Sequence, residues 1–379
     1  MGICYSINES EKTIVNKAKN KRSMKKKNSI ISYDNPDYIL SKKYSIRRNI
    51  AEDYKLDRLN SLGSGNFGTI YLATDSNNIS YAVKQINKSS IKIKEFIINE
   101  VKINSIVNHE NIVKCLHVYE DLKTISFILE LVEGGDLFNF IKNFPGGHLN
   151  KEIALDFIIQ ILETIDYLHN KMNICHRDIK PENFLVCFEH NSIIPKIKII
   201  DFGLSCFIPE DNFMTEMVGS PLYQAPEMLE TGKYSKMADL WSVGIILYNM
   251  LTGCDPFSGN SDKEINEHVL FDEIDFSCIE DVKMKEFCEG LLDKNPEFRL
   301  SAKKALKIAY EIYDSFINDV EMEENKNNFN NLDNKNLGYL TMDQIKMKYK
   351  INTENMFCQN CLNYDDFSYM IKNKLIIAI

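Results

Sequence analysis

One run of the chain limits what it can fold into: His176-Arg177-Asp178-Ile179-Lys180-Pro181-Glu182-Asn183, followed by Asp201-Phe202-Gly203. Asp178 is a carboxylate that can accept a proton. Asn183 and Asp201 are hard oxygen ligands of the kind that hold Mg²⁺. Lys180, two residues after Asp178, can reach the same reacting group as a point charge. The proton acceptor and one ligand come from a single short loop, so a few backbone dihedrals set their separation. The second ligand arrives eighteen residues after Asn183, so the fold must return a separate segment to that loop. Such a set suits phosphoryl transfer, where positioning and charge neutralisation do most of the catalysis.

The order H-R-D-x-x-x-x-N, then D-F-G, resembles the catalytic loop and metal-binding triplet of eukaryotic protein kinases, and Lys180 points to the Ser/Thr branch. The resemblance implies an α+β, bilobal fold with a β-rich small lobe and a helical large lobe. Gly63-Ser64-Gly65-Asn66-Phe67-Gly68, with Ile70 following, resembles the glycine-rich phosphate loop. It lies between β-like runs at Tyr54–Leu62 and Thr69–Thr74; a dinucleotide-binding turn would open a helix instead. Tyr81-Ala82-Val83-Lys84 resembles the strand whose lysine holds the α- and β-phosphates. Glu100 is the expected ion-pair partner of Lys84, with Glu95 as the alternative. Phe127 to Leu137 resembles the hinge, with Leu129 as gatekeeper and the main chain of Glu130 and Val132 bonding adenine. Leu62, Ile70, Ala82 and Leu185 would sandwich the base, although all four types also suit an ordinary core. Asp136 completes the nucleotide set.

In the second lobe, Asn150 is placed to cap a helix whose apolar residues Ala154, Phe157, Ile158, Ile161, Leu162, Ile165 and Leu168 recur at helical spacing. A strand at Ile197–Ile200 would deliver Asp201. Ala225-Pro226-Glu227 resembles the close of the activation segment, and Arg299 matches the distant partner of Glu227. Asp239 resembles the residue that braces the catalytic loop. Ser205, Thr215 and Ser220 are candidate phosphosites between Asp201 and Glu227. The acidic residues there, Glu210, Asp211 and Glu216, offer a different device: a fixed carboxylate pairing with Arg177 where a phosphate otherwise would. Asp136 and Glu182 match positions that face basic substrate residues, and an acidic body agrees with such a partner. The competing reading is a solvated face.

Charge divides the chain. The total is −9, yet residues 1–50 hold 12 Lys/Arg against 4 Asp/Glu, so a basic arm of +8 precedes a body of −17. No apolar run is long enough to span a membrane; the longest, Trp241 to Leu251, reads as a buried helix. The start, Met1-Gly2-Ile3-Cys4-Tyr5-Ser6, fits an N-myristoylation signal at Gly2, with Cys4 placed for palmitoylation. One acyl chain binds membranes marginally, and Cys4 or the basic cluster from Lys17 to Lys27 would supply a second signal. The alternative is a solvated basic tail or nucleic-acid patch; no nucleic-acid partner is expected. The protein is then expected on the cytoplasmic face of a membrane such as the plasma membrane, and in the cytoplasm when not acylated. Ten scattered cysteines fit reduced thiols, and Cys358-Gln359-Asn360-Cys361 lacks the second ligand pair of a zinc site.

The expected divisions are an acylated basic arm at 1–53, a catalytic domain at 54–310 and a small helical tail at 311–379. The tail resembles a degenerate EF-hand pair, with loops from Asp333 and Asn355. The first has Gly338 at its sixth position and an apolar residue at its eighth, and the second has Phe357 and Gln359 where carboxylates belong. Lys335, Leu337 and Gln344 stand in the first loop where oxygen ligands belong, so calcium is not expected. Acylated start, kinase motifs and this tail together resemble the calcium-dependent protein kinases. The resemblance implies a protein-serine/threonine kinase using ATP and Mg²⁺ on protein substrates with basic residues near the acceptor. A pseudokinase scaffold and a kinase still switched by calcium are the alternatives.

Overall fold

The computed structural model describes residues 49–65, 68–90, 94–188 and 195–317, with four short strands beyond. The acylation positions Gly2 and Cys4, the loop residues Asn66 and Phe67, and the expected tail helices lie outside the described residues.

The small lobe is an antiparallel sheet of five strands in the order β1-β2-β3-β5-β4. These are β1 (Lys55–Gly65), β2 (Gly68–Thr74), β3 (Ser80–Asn87), β4 (Cys115–Glu120) and β5 (Thr124–Glu130), with helix α1 (Lys94–Asn104) between β3 and β4. The β1–β2 ladder runs through Gly63↔Ile70 and Ser64↔Thr69 to Gly65↔Gly68, so the glycine-rich stretch is the tip of a hairpin, as expected. Gly68 has φ +134, and a Cβ there would stand 2.4 Å from the Gln85 carbonyl oxygen, which leaves glycine as the residue that fits. On α1, Ile97, Glu100 and Val101 fall on one stripe and are buried together. A charged residue in an apolar stripe needs a partner.

The large lobe starts with α2 (Leu137–Asn143) and α3 (Lys151–Asp166). Asn150 caps α3 as expected, accepting a bond from the Ile153 amide at 2.9 Å. A π turn over Tyr167–Lys171 ends α3 and carries His169. Short ladders follow: β6 (Ile174–Cys175) with β9 (Cys206–Phe207), and β7 (Phe184–Cys187) with β8 (Lys196–Ile199). Helices α4 (Pro226–Thr231), α5 (Met237–Thr252), α6 (Asp262–Phe271), α7 (Val282–Leu291) and α8 (Ala302–Ile317) complete the lobe. Leu240, Trp241, Val243, Ile245, Ile246 and Leu247 of α5 are buried all round, so this apolar run is a core helix. Each such side chain contributes about 1.5–3 kcal/mol by leaving water. Helix α8 packs along α3, and its Ile312 is buried in the same core, two residues past the expected boundary at 310.

In the tail, β10 (Tyr339–Thr341) pairs with β12 (Cys361–Asn363), and β11 (Tyr349–Ile351) with β13 (Ile376–Ala378). The first ladder sets Leu340 directly opposite Leu362. Leu340 is the apolar eighth position of the first expected loop, and Leu362 falls within the second.

Arg299 fastens the end of the activation segment. Its guanidinium makes two 2.8 Å bonds to the Glu227 carboxylate and donates to the carbonyls of Met237 and Asp293. Both residues are buried. Removing one partner leaves the other charged and enclosed, so Glu227→Ala should lower unfolding stability by about 3–5 kcal/mol. Arg299→Lys should not rescue the pair, because an ammonium cannot make the two-pronged contact. Urea titration of the variants reads both effects.

Candidate active site

The Lys84 ammonium lies 2.7 Å from Glu100 Oε1 and 2.7 Å from Asp201 Oδ1. β3 supplies the lysine, the buried stripe of α1 supplies Glu100, and the stretch after β8 supplies Asp201. Glu95, the alternative partner, is exposed. Burial pulls the Lys84 ammonium toward neutrality, but the charges of Glu100 and Asp201 outweigh it and hold the proton more tightly than usual. Burial likewise pushes the Asp201 carboxyl up, and Lys84 together with the Gly203 amide brings it below its ordinary value. Asp201 therefore stays ionised. It holds a left-handed backbone, φ 65, a conformation that costs a non-glycine residue about 1–3 kcal/mol and persists where surrounding contacts enforce it.

Asp178 is buried and engaged on both oxygens. Oδ2 accepts from Asn183 Nδ2 at 3.0 Å and pairs with Lys180 Nζ at 3.0 Å. Oδ1 accepts from the Ser220 amide at 3.2 Å and its hydroxyl at 3.0 Å. Asn183 spends its amide hydrogens on Asp178, with a second bond to the Asp178 carbonyl at 2.7 Å. Its own side-chain oxygen is the atom left for a cation. Asp201 similarly commits Oδ1 to Lys84 and Gly203, leaving Oδ2. Two hard oxygens from these residues fit Mg²⁺.

Asp239 holds this loop from beneath. Its Oδ2 accepts from His169 Nε2 and the His176 amide, each at 2.8 Å, and from the Cys175 thiol at 3.3 Å, while Oδ1 accepts from the Arg177 amide at 2.8 Å. Burial pushes this carboxyl up, yet the His169 bond, the charges of both histidines and the His176 amide hold it down at about 2. Asp239, expected to brace this loop, makes four bonds there. Phe202 is buried with its ring centroid 5.4 Å from that of His176.

At the nucleotide end, Ala82 faces Leu129 across β3–β5 and Leu72 across β2–β3. Ile70 and Leu185 are half-buried and Leu62 is exposed. Leu129 lines a small cavity behind Lys84 together with Glu100, Phe127, Asp201 and Phe202. The Glu130 amide is spent on the Lys114 carbonyl at 3.0 Å, so any bond Glu130 makes to a base runs through its own carbonyl. Asp136 caps α2: one oxygen accepts from the Asn139 amide at 2.7 Å and the other from its side chain at 2.9 Å. Each oxygen of Asp136 thus takes one bond from Asn139, while Glu182 is exposed. The Tyr223 hydroxyl is pushed up by burial and then by the charges of Glu182, Asp255 and Asp178. Asp255 is an acid of this face that the sequence did not single out.

The activation segment sorts the three candidate phosphosites. Ser205 is fully buried, its hydroxyl bonded to the His176 carbonyl at 3.1 Å. Ser220 lies against the catalytic loop, taking a 2.8 Å bond from Lys180 as well as donating to Asp178. Thr215 is exposed. Arg177 pairs with Glu216 Oε2 at 2.9 Å, its Nε donates to the Leu204 carbonyl at 2.6 Å, and Tyr234 donates to the Glu216 carbonyl at 2.6 Å. Gly219, φ +94, lets the chain pass where a Cβ would stand 2.6 Å from the Arg177 carbonyl oxygen.

Comparison with known proteins agrees with this geometry. Residues 56–310 match the protein kinase domain family. Calcium-dependent protein kinase 7 of Oryza sativa subsp. japonica is 36% identical over 267 residues, 68% of this chain and 48% of that protein. Calcium-dependent protein kinase 19 of the same plant is 31% identical over 353 residues, 82% of this chain and 64% of that protein. Calcium-dependent protein kinase 14 of Arabidopsis thaliana is 37% identical over 266 residues, 68% and 49% respectively. The chain spans about half to two-thirds of the length of these curated relatives. Their names give no support to the expectation that calcium plays no part, which rests on the tail's ligand positions alone.

The depressed carboxyl of Asp239 makes a pH-dependent contribution with a defined sign. Its folded value, about 2, lies below the ordinary 3.8. The stabilisation is complete above pH ~4 and is lost as pH falls toward ~2, and is worth on the order of 2 kcal/mol. Asp239→Asn should therefore be less stable than wild type at pH 7 by at least that order. The gap should narrow between pH ~4 and ~2 in denaturant titrations.

Proposed function

The chain belongs to the protein kinase family, and from that premise we propose that it transfers the terminal phosphoryl group of ATP to Ser or Thr hydroxyls of proteins. One observation carries the reading. A single Lys84 ammonium bonds at 2.7 Å to acids 16 and 117 residues away, which brings β3, α1 and the Asp201 segment together. Lys84 would hold the α- and β-phosphates. Asn183 and Asp201 would hold Mg²⁺, which neutralises charge on the phosphates when bound. Asp178 accepts the proton of the acceptor hydroxyl, and Lys180, also bonded to Ser220, places its charge beside the transferred group. Gly63 to Gly68, Ile70, Ala82, Glu130, Val132 and Leu185 form the nucleotide side of the same reading.

The family's essential lysine, loop aspartate and metal aspartate are all present, which weighs against a pseudokinase scaffold. Glu182 and the acidic body favour substrates with basic residues near the acceptor. The Met1-Gly2-Ile3-Cys4 start and the basic run behind it favour membrane attachment by acylation; Gly2→Ala tests this by fractionation, and unchanged membrane association would remove it. The relatives are calcium-dependent by name, and the facing of Leu340 and Leu362 supports a paired, EF-hand-like tail. Lys335, Leu337 and Gln344 argue that the first loop is poor in calcium ligands. Activity with and without a calcium chelator separates a calcium-switched kinase from one that calcium does not control.

Activity does not require activation-segment phosphorylation on this reading, because Glu216 already occupies Arg177. Asp178→Asn should cut kcat for a basic serine peptide by about 10²–10⁴-fold with little change in stability. Thr215→Ala should keep activity within about twofold. Glu216→Ala should lose on the order of fivefold, since an ion pair with one exposed partner is worth about 1 kcal/mol. An inactive, folded Thr215→Ala protein would refute the claim about phosphorylation.

A further inference from the structure

The chain enters the catalytic loop through β6, and the activation segment leaves Asp201 through β9. These strands pair with Cys175 directly opposite Cys206. Residues so placed on antiparallel strands have Cα atoms about 4.5–5.5 Å apart and side chains on the same face. A disulfide spans Cα separations of about 4.4–6.8 Å, so the backbones already stand at bridging distance. Among the described residues no other two cysteines face each other across a ladder. Both side chains currently contact something else: the Cys175 thiol donates to Asp239 Oδ2 at 3.3 Å, and Cys206 Sγ lies 3.3 Å from Met214 Sδ.

We propose that Cys175 and Cys206 form a disulfide under oxidising conditions, a modification site that ties the catalytic loop to the start of the activation segment. The oxidant class is a peroxide. Cys206 is partly exposed and Cys175 is buried, so Cys206 reacts first. Its sulfur attacks one peroxide oxygen, the O–O bond breaks, and a sulfenic acid and water result. The Cys175 sulfur then displaces hydroxide from that sulfenic acid, which leaves as water after taking the thiol proton. Hydrogen peroxide gains two electrons and the two thiols lose them, giving one S–S bond and two waters.

The bridge forms on the arrangement already present and does not need β6 and β9 to part. Asp239 loses the weakest of its donors and keeps His169 and the amides of His176 and Arg177. The oxidised protein therefore keeps its catalytic geometry and holds the segment more firmly. Burial pushes the Cys206 thiol up to about 11, with Arg177 pulling it back in part. Reaction with peroxide is accordingly slow, since the thiolate is the reactive form.

The test uses the full chain treated with hydrogen peroxide, free thiols then blocked, and peptides mapped by mass spectrometry without reduction. A peptide linking Cys175 to Cys206 is expected, absent from Cys206→Ser and abolished by dithiothreitol. The unfolding midpoint should rise by about 5 °C or more, because the bridge closes a long loop, and phosphoryl transfer should stay within about twofold. Mapping and melting read the bridge without reference to activity, so they stand apart from the kinase reading. Oxidation of the exposed Cys254 with no 175–206 peptide would overturn the proposal. So would a linked protein that melts no higher than the reduced one.

Discussion

The buried contact of Lys84 with Glu100 and Asp201 is what the rest of the site depends on. An ammonium enclosed among apolar side chains is costly unless it is paired. Here the two carboxylates come from separate segments, α1 and the stretch after β8. α1 must present the face bearing Ile97, Glu100 and Val101 inward, and the Asp201 segment must accept a left-handed turn. The charges thus fix a helix rotation and a backbone conformation that packing alone leaves open. They also set the direction in which the remaining oxygen of Asp201 points, while Asp178 sets that of Asn183.

A second buried acid does the corresponding work below the loop. Asp239 gathers His169, Cys175 and the amides of His176 and Arg177, and so converts a flexible stretch of chain into a rigid platform. The Arg177 side chain leaves that platform upward to Glu216, and the Ser220 hydroxyl comes down to Asp178 and Lys180. The activation segment is thereby attached at two points, by Glu216 near its middle and by Glu227 with Arg299 at its close. Proton acceptor, point charge and segment form one hydrogen-bonded unit.

What was legible in the sequence was the chemistry carried by short, fixed spacings. Asp178, Lys180 and Asn183 lie within one loop, so their convergence follows from local geometry, and Glu100 sits where helical spacing carries it inward. The partnership of Asp239 with the loop and of Arg299 with Glu227 came through family resemblance, since each spans more than sixty residues. Other features depended on tertiary packing that no local pattern encodes. Ser205 looked like a phosphosite and is sealed in the core; Ser220 looked like another and proves to be part of the catalytic hydrogen-bond unit. Asp136 reads as a ligand-facing acid, and its side chain also caps α2. Only the direction in which these side chains point separates the readings. The pairing of Cys175 with Cys206 is likewise a matter of strand register between segments thirty-one residues apart.

The most direct test replaces Lys84 by Met in the full chain and measures transfer from Mg²⁺-ATP to a basic serine peptide. If one ammonium aligns the phosphates with the metal-binding acids, the rate should fall by at least about 10²-fold while the protein stays folded. A folded Lys84→Met protein that transfers phosphate within about twofold of wild type would contradict it.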